Sequence, residues 1–249
     1  MMDLNSAVVV VTGAGRGLGA ALAISLADQG CKLILCGRNP EALAQVSAAI
    51  EARTGSPADQ VVVDLASSDS VKAALAEIHV RHPQVDILIN NGAMWLEASE
   101  QPHSAAEVTG VIDAALTGTF LLTQGLLPAL KASKRPDIVT IGSISGLPNA
   151  PLHSVSLPFY AAKHGQLALA DGLRQMLKGT PVRSLCVHPP YLEDVSPLDE
   201  AWQQVPARQK GEQGTNRDVV EAVVFALTRP RHISLSSIVI DTDSGGLFS

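Results

Sequence analysis

The chain has 249 residues, 46% hydrophobic and 17% charged, with a formal net charge of −6 at pH 7. A chain this long buries roughly 70 to 75% of the surface its unfolded form exposes, so one sizeable core forms without disulfide or metal staples. The acidic balance and the lack of a basic run exclude nucleic acid as a partner.

Cys31, Cys36 and Cys186 fall in or beside predicted strands with no metal-ligand spacing, and the histidines, among them His79, His82, His103, His164, His188 and His232, form no metal cluster. The reading is buried free thiols in a reducing compartment. Met1 to Ser6 shows no charged-then-apolar leader and no apolar run reaches membrane-spanning length, so a cytoplasmic protein that does not engage a membrane is expected.

In chain order, the first element is the β-branched apolar run Ala7 to Val11. It leads at once into Thr12-Gly13-Ala14-Gly15-Arg16-Gly17-Leu18-Gly19 and the helical stretch Ala20 to Asp28. The pattern G-x-G-x-x-G fails because Leu18 stands where its third glycine belongs; T-G-x-x-x-G-x-G, through Gly13, Gly17 and Gly19, fits. Glycines reach positive φ and let backbone approach a pyrophosphate, and the helix N-terminus offers its N–H groups to the anion. A second strand, Lys32 to Cys36, ends in Gly37-Arg38 with no acid at 36 to 38 to take a ribose 2′-hydroxyl. Arg38 and Arg16 suit a 2′-phosphate instead, so the expected cofactor is NADP(H). Helical apolar spacing marks Pro40 to Arg53, Ser68 to His82, a long helix from about Ser104 with Pro128 at a kink or last turn, and Phe159 to Lys178. Strand runs such as Leu33 to Leu35 and Val85 to Ile89 are apolar throughout, as in strands covered on both faces. The alternation predicts an α/β protein with a doubly wound parallel sheet.

Tyr160-Ala161-Ala162-Lys163, with Ser143 upstream, points to acid/base chemistry by a phenol. Residues three apart share a helix face, so the Lys163 ammonium is expected close enough to Tyr160 to favour its phenolate. A free tyrosine titrates near pH ~10, and bringing it about three units lower takes roughly 4 kcal/mol, which a lysine and an oxidised nicotinamide ring can supply together.

These features resemble the short-chain dehydrogenase/reductase family of single-domain proteins of about 250 residues. Asp64-Leu65 after the third strand, Asn90-Asn91 after the fourth, Ile138 to Ser143, Val187-His188-Pro189 and Ile238 to Gly246 extend the likeness over nearly the whole chain. The resemblance implies a Rossmann fold over residues 1–249, strand order 3-2-1-4-5-6-7 with helices on both faces, and a substrate lid at about 190–215. It assigns Gly13, Arg16, Gly17, Leu18, Gly19, Arg38, Asp64, Leu65, Asn91, Tyr160, Lys163 and Pro189 to the cofactor. It makes Tyr160 the acid/base, Lys163 the group that lowers its pKa and bonds the nicotinamide ribose, and Ser143 the group that positions the substrate oxygen. It also implies a homotetramer or dimer packed through helices 104–130 and 158–178.

The chain departs from the family pattern at several points. Seventeen residues separate Ser143 from Tyr160 where about thirteen are usual, which lengthens the proline-bearing loop Leu147 to Pro158 with its His153; Ser145 is the competing serine. Asn-Asn-Ala-Gly is altered to Asn90-Asn91-Gly92-Ala93, and Ala115 stands where the family has an asparagine that holds a proton-relay water. Met94, Trp95, Tyr191, Leu192 and Trp202 fall on segments that flank the pocket in the family, as substrate wall or as core. The leading reading is an NADP(H)-dependent oxidoreductase that moves a hydride between nicotinamide and a small-molecule carbonyl or secondary alcohol. Ala115 motivates the alternative, a catalytically impaired nucleotide-binding protein with a regulatory or scaffold role.

Overall fold

In a computed structural model, which describes residues 3–152 and 154–247, the buried apolar runs become parallel strands. They are β1 (Val8–Thr12), β2 (Lys32–Gly37), β3 (Asp59–Val62), β4 (Ile87–Asn90), β5 (Asp137–Ile141), β6 (Arg183–His188) and, after two short strands outside this sheet, β9 (Ser237–Val239). Their order is β3-β2-β1-β4-β5-β6-β9, all neighbours parallel, with Val9 opposite Leu33 on one side and Ile87 on the other. This is the predicted doubly wound order with the seventh sheet strand counted ninth.

Alternate side chains of one strand feed opposite layers. Val9 and Val11 pack with α1 (Gly17–Asp28), α2 (Pro40–Thr54) and α8 (Asn216–Leu227), through Leu22, Leu43 and Val223. Val10 and Leu88 pack with α3 (Ser68–Arg81) and α5 (Thr119–Lys131), through Val71, Ile78, Leu122 and Leu126. The helix ends obey local chemistry: Asn39 caps α2, Ser67 caps α3, and Ser156 caps α6 (Leu157–Met176).

The long helix expected from Ser104 starts with a Ser104–Glu107 capping box, and Pro128 falls near its last turn. It is not one regular helix. Between α4 (Ala105–Ile112) and α5 lies a π-helical segment, Asp113–Gly118. Gly118 explains part of it: a Cβ there would lie 1.8 Å from the Leu65 carbonyl oxygen, so the helix presses its backbone against the loop after β3. Such local widening tends to occur at functional sites. The rod from Ala105 to Lys131 is long and apolar enough by composition to cross a membrane, contrary to the expectation from sequence. Leu122, Leu126 and Leu130 along it are fully buried against the sheet layer. The segment expected as a lid contains a short strand pair, β7 (Leu192–Glu193) parallel to β8 (Gly214–Thr215), with α7 (Glu200–Gln204) between them.

The edge of the sheet opposite the clefts is tied by Asp137. Its buried carboxylate takes Arg183 through Nε and Nη2, each at 2.7 Å, and Arg231 through Nη1 at 2.7 Å. Arg183 also donates to the carbonyls of Leu227, Arg229 and Ile233, which joins β5 and β6 to the end of α8 and the approach to β9. Removing one partner of such a pair strands a buried charge, at about 3 to 5 kcal/mol. Asp137→Ala is therefore expected to lower the unfolding free energy by about that amount in a urea titration; a loss under about 1 kcal/mol would mean that the network is not what joins these elements.

Candidate active site

The loops at the C-terminal ends of β1, β2 and β4 enclose a cleft of about 750 Å³. Gly13, Arg16, Gly17, Leu18, Gly19, Arg38, Asp64, Leu65 and Asn91 all line it, so nine residues read from scattered parts of the sequence meet in one place. The turn is built for backbone approach. Gly13 and Gly17 have φ of 65° and 56°, and a Cβ on Gly19 would stand 2.1 Å from the Gly13 carbonyl oxygen. Arg16, the N-cap of α1, makes no side-chain cap, so the first-turn N–H groups face the cleft uncapped by a side chain. The Thr12 hydroxyl receives the N–H of both Asn91 and Gly92, and the Asn91 amide donates back to the Thr12 carbonyl, which locks the end of β1 to the end of β4. Arg38 is held by nothing stronger than a 3.9 Å contact with the Met94 sulfur. The cradle, the open helix end and two guanidiniums fit a dinucleotide with an extra phosphate.

One feature of this cleft had no signal in the sequence. Asp194, just after β7, places both carboxylate oxygens 3.7 to 3.8 Å from where a Gly17 Cβ would stand, and the Asn216 amide holds it there. A carboxylate thus sits beside the helix end that would take phosphate.

A second cleft of about 530 Å³ adjoins the first and shares Leu18, Asn91 and Ala93 with it. Ser143, Lys163 and Pro189 line it, as do Ser145, Trp95, Tyr191 and Leu192. Ser143 is the N-cap of a one-turn 3-10 helix and its Oγ accepts the Ser145 N–H, which leaves its own O–H free to donate. The His188 ring donates through Nδ1 to the Ser143 carbonyl and so fixes the end of β5; burial pushes that imidazole's pKa down. Met94 lies in the first cleft, while Trp202 is a core residue beside Val205 and Val220. His153 lies outside the described residues; its loop contributes Ser154 and Val155 to the second cleft.

Tyr160 lines neither cleft. Its hydroxyl donates to the Ala150 carbonyl at 2.7 Å and its ring packs on His164 with centroids 4.3 Å apart. The ring in the second cleft is Phe159, buried against Trp95 with centroids 4.6 Å apart and with the Lys163 Nζ 5.5 Å from its own centroid. The helix explains the exchange. Positions 159 and 160 both lie one turn before Lys163, but at 3.6 residues per turn they stand about 40° to one side of it and about 60° to the other. In this structure the Tyr160 phenol is bonded to the 147–158 loop, and the ring nearest the Lys163 ammonium is that of Phe159.

Lys163 is 6% exposed. Nζ donates to the Gln166 Oε1 at 2.9 Å and to the Ile141 carbonyl at 3.2 Å, and the Gln166 Nε2 donates in turn to the Ala115 carbonyl at 3.3 Å. Ala115, in the π-helical segment, has no side-chain amide, but its backbone closes a chain of contacts through Gln166. That residue escaped the sequence reading because a glutamine three positions after a lysine on a helix carries no distinctive signal. Burial lowers the Lys163 pKa from 10.5 to about 8. Among the described residues no set of three His, Cys, Asp or Glu side chains converges to hold a metal.

Residues 7–205 match the family model of the short-chain dehydrogenases, and the chain belongs to that family of oxidoreductases. An uncharacterized oxidoreductase of Staphylococcus saprophyticus is 28% identical over 240 residues, which cover 96% of this chain and 99% of that protein. Among solved structures, a metagenomic short-chain oxidoreductase in complex with NADP is 27% identical, with a TM-score of 0.79 over 96% of this chain and 98% of that one. The L-sorbose reductase of Gluconobacter frateurii, complexed with NADPH and L-sorbose, shares the fold at 20% identity, with a TM-score of 0.82 over 100% of this chain and 99% of that one.

Keeping an ammonium in this site works against folding. Because the folded pKa of Lys163, about 8, lies below its unfolded value of 10.5, the unfolded chain binds the extra proton between those limits and stability rises with pH across them. The penalty at pH 7 is on the order of 3 kcal/mol. Lys163→Met is expected to raise the unfolding free energy at pH 7 by about 1 to 3 kcal/mol, part of the gain being lost at the unpaired Gln166 carbonyl. The advantage over the natural protein should shrink between pH 8 and 10.5, which paired denaturant titrations measure; an advantage constant with pH would show that Lys163 is not the buried charge responsible.

Proposed function

We propose that the protein is an NADP(H)-dependent oxidoreductase that interconverts a small carbonyl compound and its secondary alcohol. The observation that carries this reading is the continuity of the two clefts: a glycine cradle with two free guanidiniums opens, past Leu18 and Asn91, into a pocket that holds Ser143 and Lys163. When bound, the nicotinamide supplies or accepts the hydride. Gly13, Gly17 and Gly19 admit the pyrophosphate to the backbone, Arg16 and Arg38 take the 2′-phosphate, and Asp64 and Leu65 border the adenine end. The relative solved with NADP supports the choice of cofactor.

In the second cleft the Ser143 hydroxyl donates to the substrate oxygen and holds the carbonyl in place. Much of the wall is apolar and aromatic, with Trp95, Ile144, Val155, Phe159, Pro190 and Tyr191 among its residues. This lining selects a flat or branched apolar carbonyl over a polyhydroxylated one, since a sugar would bring hydroxyls to a surface with few partners for them. The lid at about 190–215 supplies Pro190, Tyr191 and Asp194, so its closure couples substrate wall and phosphate site.

Two substitutions test the cofactor half. Arg38→Ala is expected to weaken NADPH by about 1.5 to 3 kcal/mol and to leave NADH nearly unchanged. Asp194→Asn, which removes the negative charge beside Gly17, should tighten both nucleotides. Equal losses of the two cofactors in the Arg38 variant would remove the 2′-phosphate from the account. For the reaction, NADPH oxidation is followed against aromatic and aliphatic ketones, aldehydes, quinones and sugars; turnover confined to sugars would contradict the apolar substrate, and tight NADPH binding with no turnover at all would contradict the reductase reading.

A further inference from the structure

We propose that Trp95 selects the substrate, its indole taking the planar ring of an aromatic ketone. The proposal rests on the reading of the protein as a carbonyl reductase and names the substrate class for that same pocket.

Burial alternates along the segment after β4. Met94 and Leu96 pack against a small apolar cluster made of Val111, Ala115, Val155, Phe159 and Ala162. Trp95, between them, lines the second cleft and is 48% exposed. It meets Phe159 in an edge contact, with the ring planes 64° apart. Whichever ring offers its edge, Phe159 covers at most one face of the indole. Tryptophan carries one of the largest apolar surfaces of any side chain, so a half-exposed indole in a cleft marks a place where a ligand adds the missing contact.

The indole is carried on a pinned segment. Glu97 pairs with Val155 in an antiparallel bridge; the Ala98 N–H donates to the Ser154 carbonyl and the Ser156 N–H to the Leu96 carbonyl, each at 3.3 Å. Ser156 in turn caps α6, its Oγ accepting the Phe159 N–H. Val155 and Phe159 are both buried. Backbone bonds thus join the segment around Trp95 to the lengthened 147–158 loop, and side chains join it to the start of α6. An aromatic wall placed before the ligand arrives lowers the ordering cost of binding.

The rest of the lining narrows the ligand. Among the described residues of this cleft none is Asp or Glu, so an amine-bearing substrate finds no counter-charge. A volume of about 530 Å³ is ample for one aromatic ring and its carbonyl. A benzene ring that meets an indole in an offset or edge-to-face arrangement gains a factor of about 2 to 12 beyond the area it buries. A cyclohexyl ring of the same carbon number has neither the flat face nor the quadrupole.

The experiment therefore compares acetophenone with cyclohexyl methyl ketone, which differ only in the saturation of the ring. Each is tested on the natural protein, on Trp95→Leu, which keeps an apolar side chain without a π face, and on Trp95→Phe, which keeps both. The first readout is the ratio of kcat/KM for the two ketones with NADPH. Intrinsic reactivity cancels when each variant's ratio is divided by that of the natural protein. Trp95→Leu should lower the ratio by about 3- to 10-fold, and Trp95→Phe should keep it within about 2-fold. The second readout needs no turnover. Trp95 and Trp202 are the two tryptophans of the chain, and Trp202 is a buried core residue, so Trp202→Phe leaves Trp95 as the only indole. Acetophenone added to that variant with NADP⁺, a pair that cannot react, should quench the remaining fluorescence along a saturating curve. Its midpoint should match the Kd from calorimetry.

An unchanged ratio in Trp95→Leu, or an equal fall for both ketones, would make Trp95 a structural residue and overturn the proposal. Quenching that rises without saturating would do the same. A ratio that falls as far in Trp95→Phe as in Trp95→Leu would rule out the π contact. Should Trp95→Leu not fold, the titration of Trp202→Phe decides. If NADPH binds and neither ketone is reduced, the reductase reading fails, while the titration with NADP⁺ still decides whether Trp95 takes the ring.

Discussion

A single ammonium enclosed between β5 and α6 sets the terms for this site. Lys163 reaches its place because the sheet edge ends at Ile141, α6 starts at a Ser156 cap, and the π-helical segment brings the Ala115 carbonyl within reach of Gln166. Each of these acceptors is a partner a buried charge must have, since an ammonium without them costs several kcal/mol. The depressed pKa shows that even so the charge is held at a cost.

The fold was legible because buried parallel strands announce themselves as unbroken apolar runs and because glycines and caps mark where helices begin. Val8–Thr12, Lys32–Gly37 and the helices starting at Pro40 and Ser68 fell where the pattern put them. The cofactor cradle was legible for the same reason: at Gly13, Gly17 and Gly19 local backbone geometry dictates the residue type. The π-helical turn at Asp113–Gly118 was not, since it follows from the approach of Gly118 to the Leu65 carbonyl, a contact between segments more than fifty residues apart. The lid pair β7 and β8 is too short to leave a period.

The position of Tyr160 beside the second cleft, and not in its lining, has a geometric source. Adjacent helix positions differ by about 100°, so residues three and four before a lysine both qualify as neighbours while pointing to opposite sides of it. The tyrosine was the residue with visible chemistry, and Phe159 was not. In the fold the Tyr160 hydroxyl meets the Ala150 carbonyl and the Phe159 ring meets Trp95. Gln166 and Asp194 were missed for the complementary reason: their importance lies in what they touch, the Lys163 ammonium and the surroundings of Gly17, and neither contact has a sequence signature.

Together these observations describe a member of the short-chain dehydrogenases in which a glycine cradle opens into a cleft lined by Ser143 and Lys163, with the lysine backed by the buried Gln166 amide. The most direct measurement of this account is a crystal structure of the protein with NADP⁺ and an unreactive aromatic alcohol. The account predicts the nicotinamide between the two clefts and the alcohol oxygen within hydrogen-bond reach of the Ser143 Oγ. A structure with the nicotinamide outside this junction, or with the alcohol away from Ser143, would contradict it.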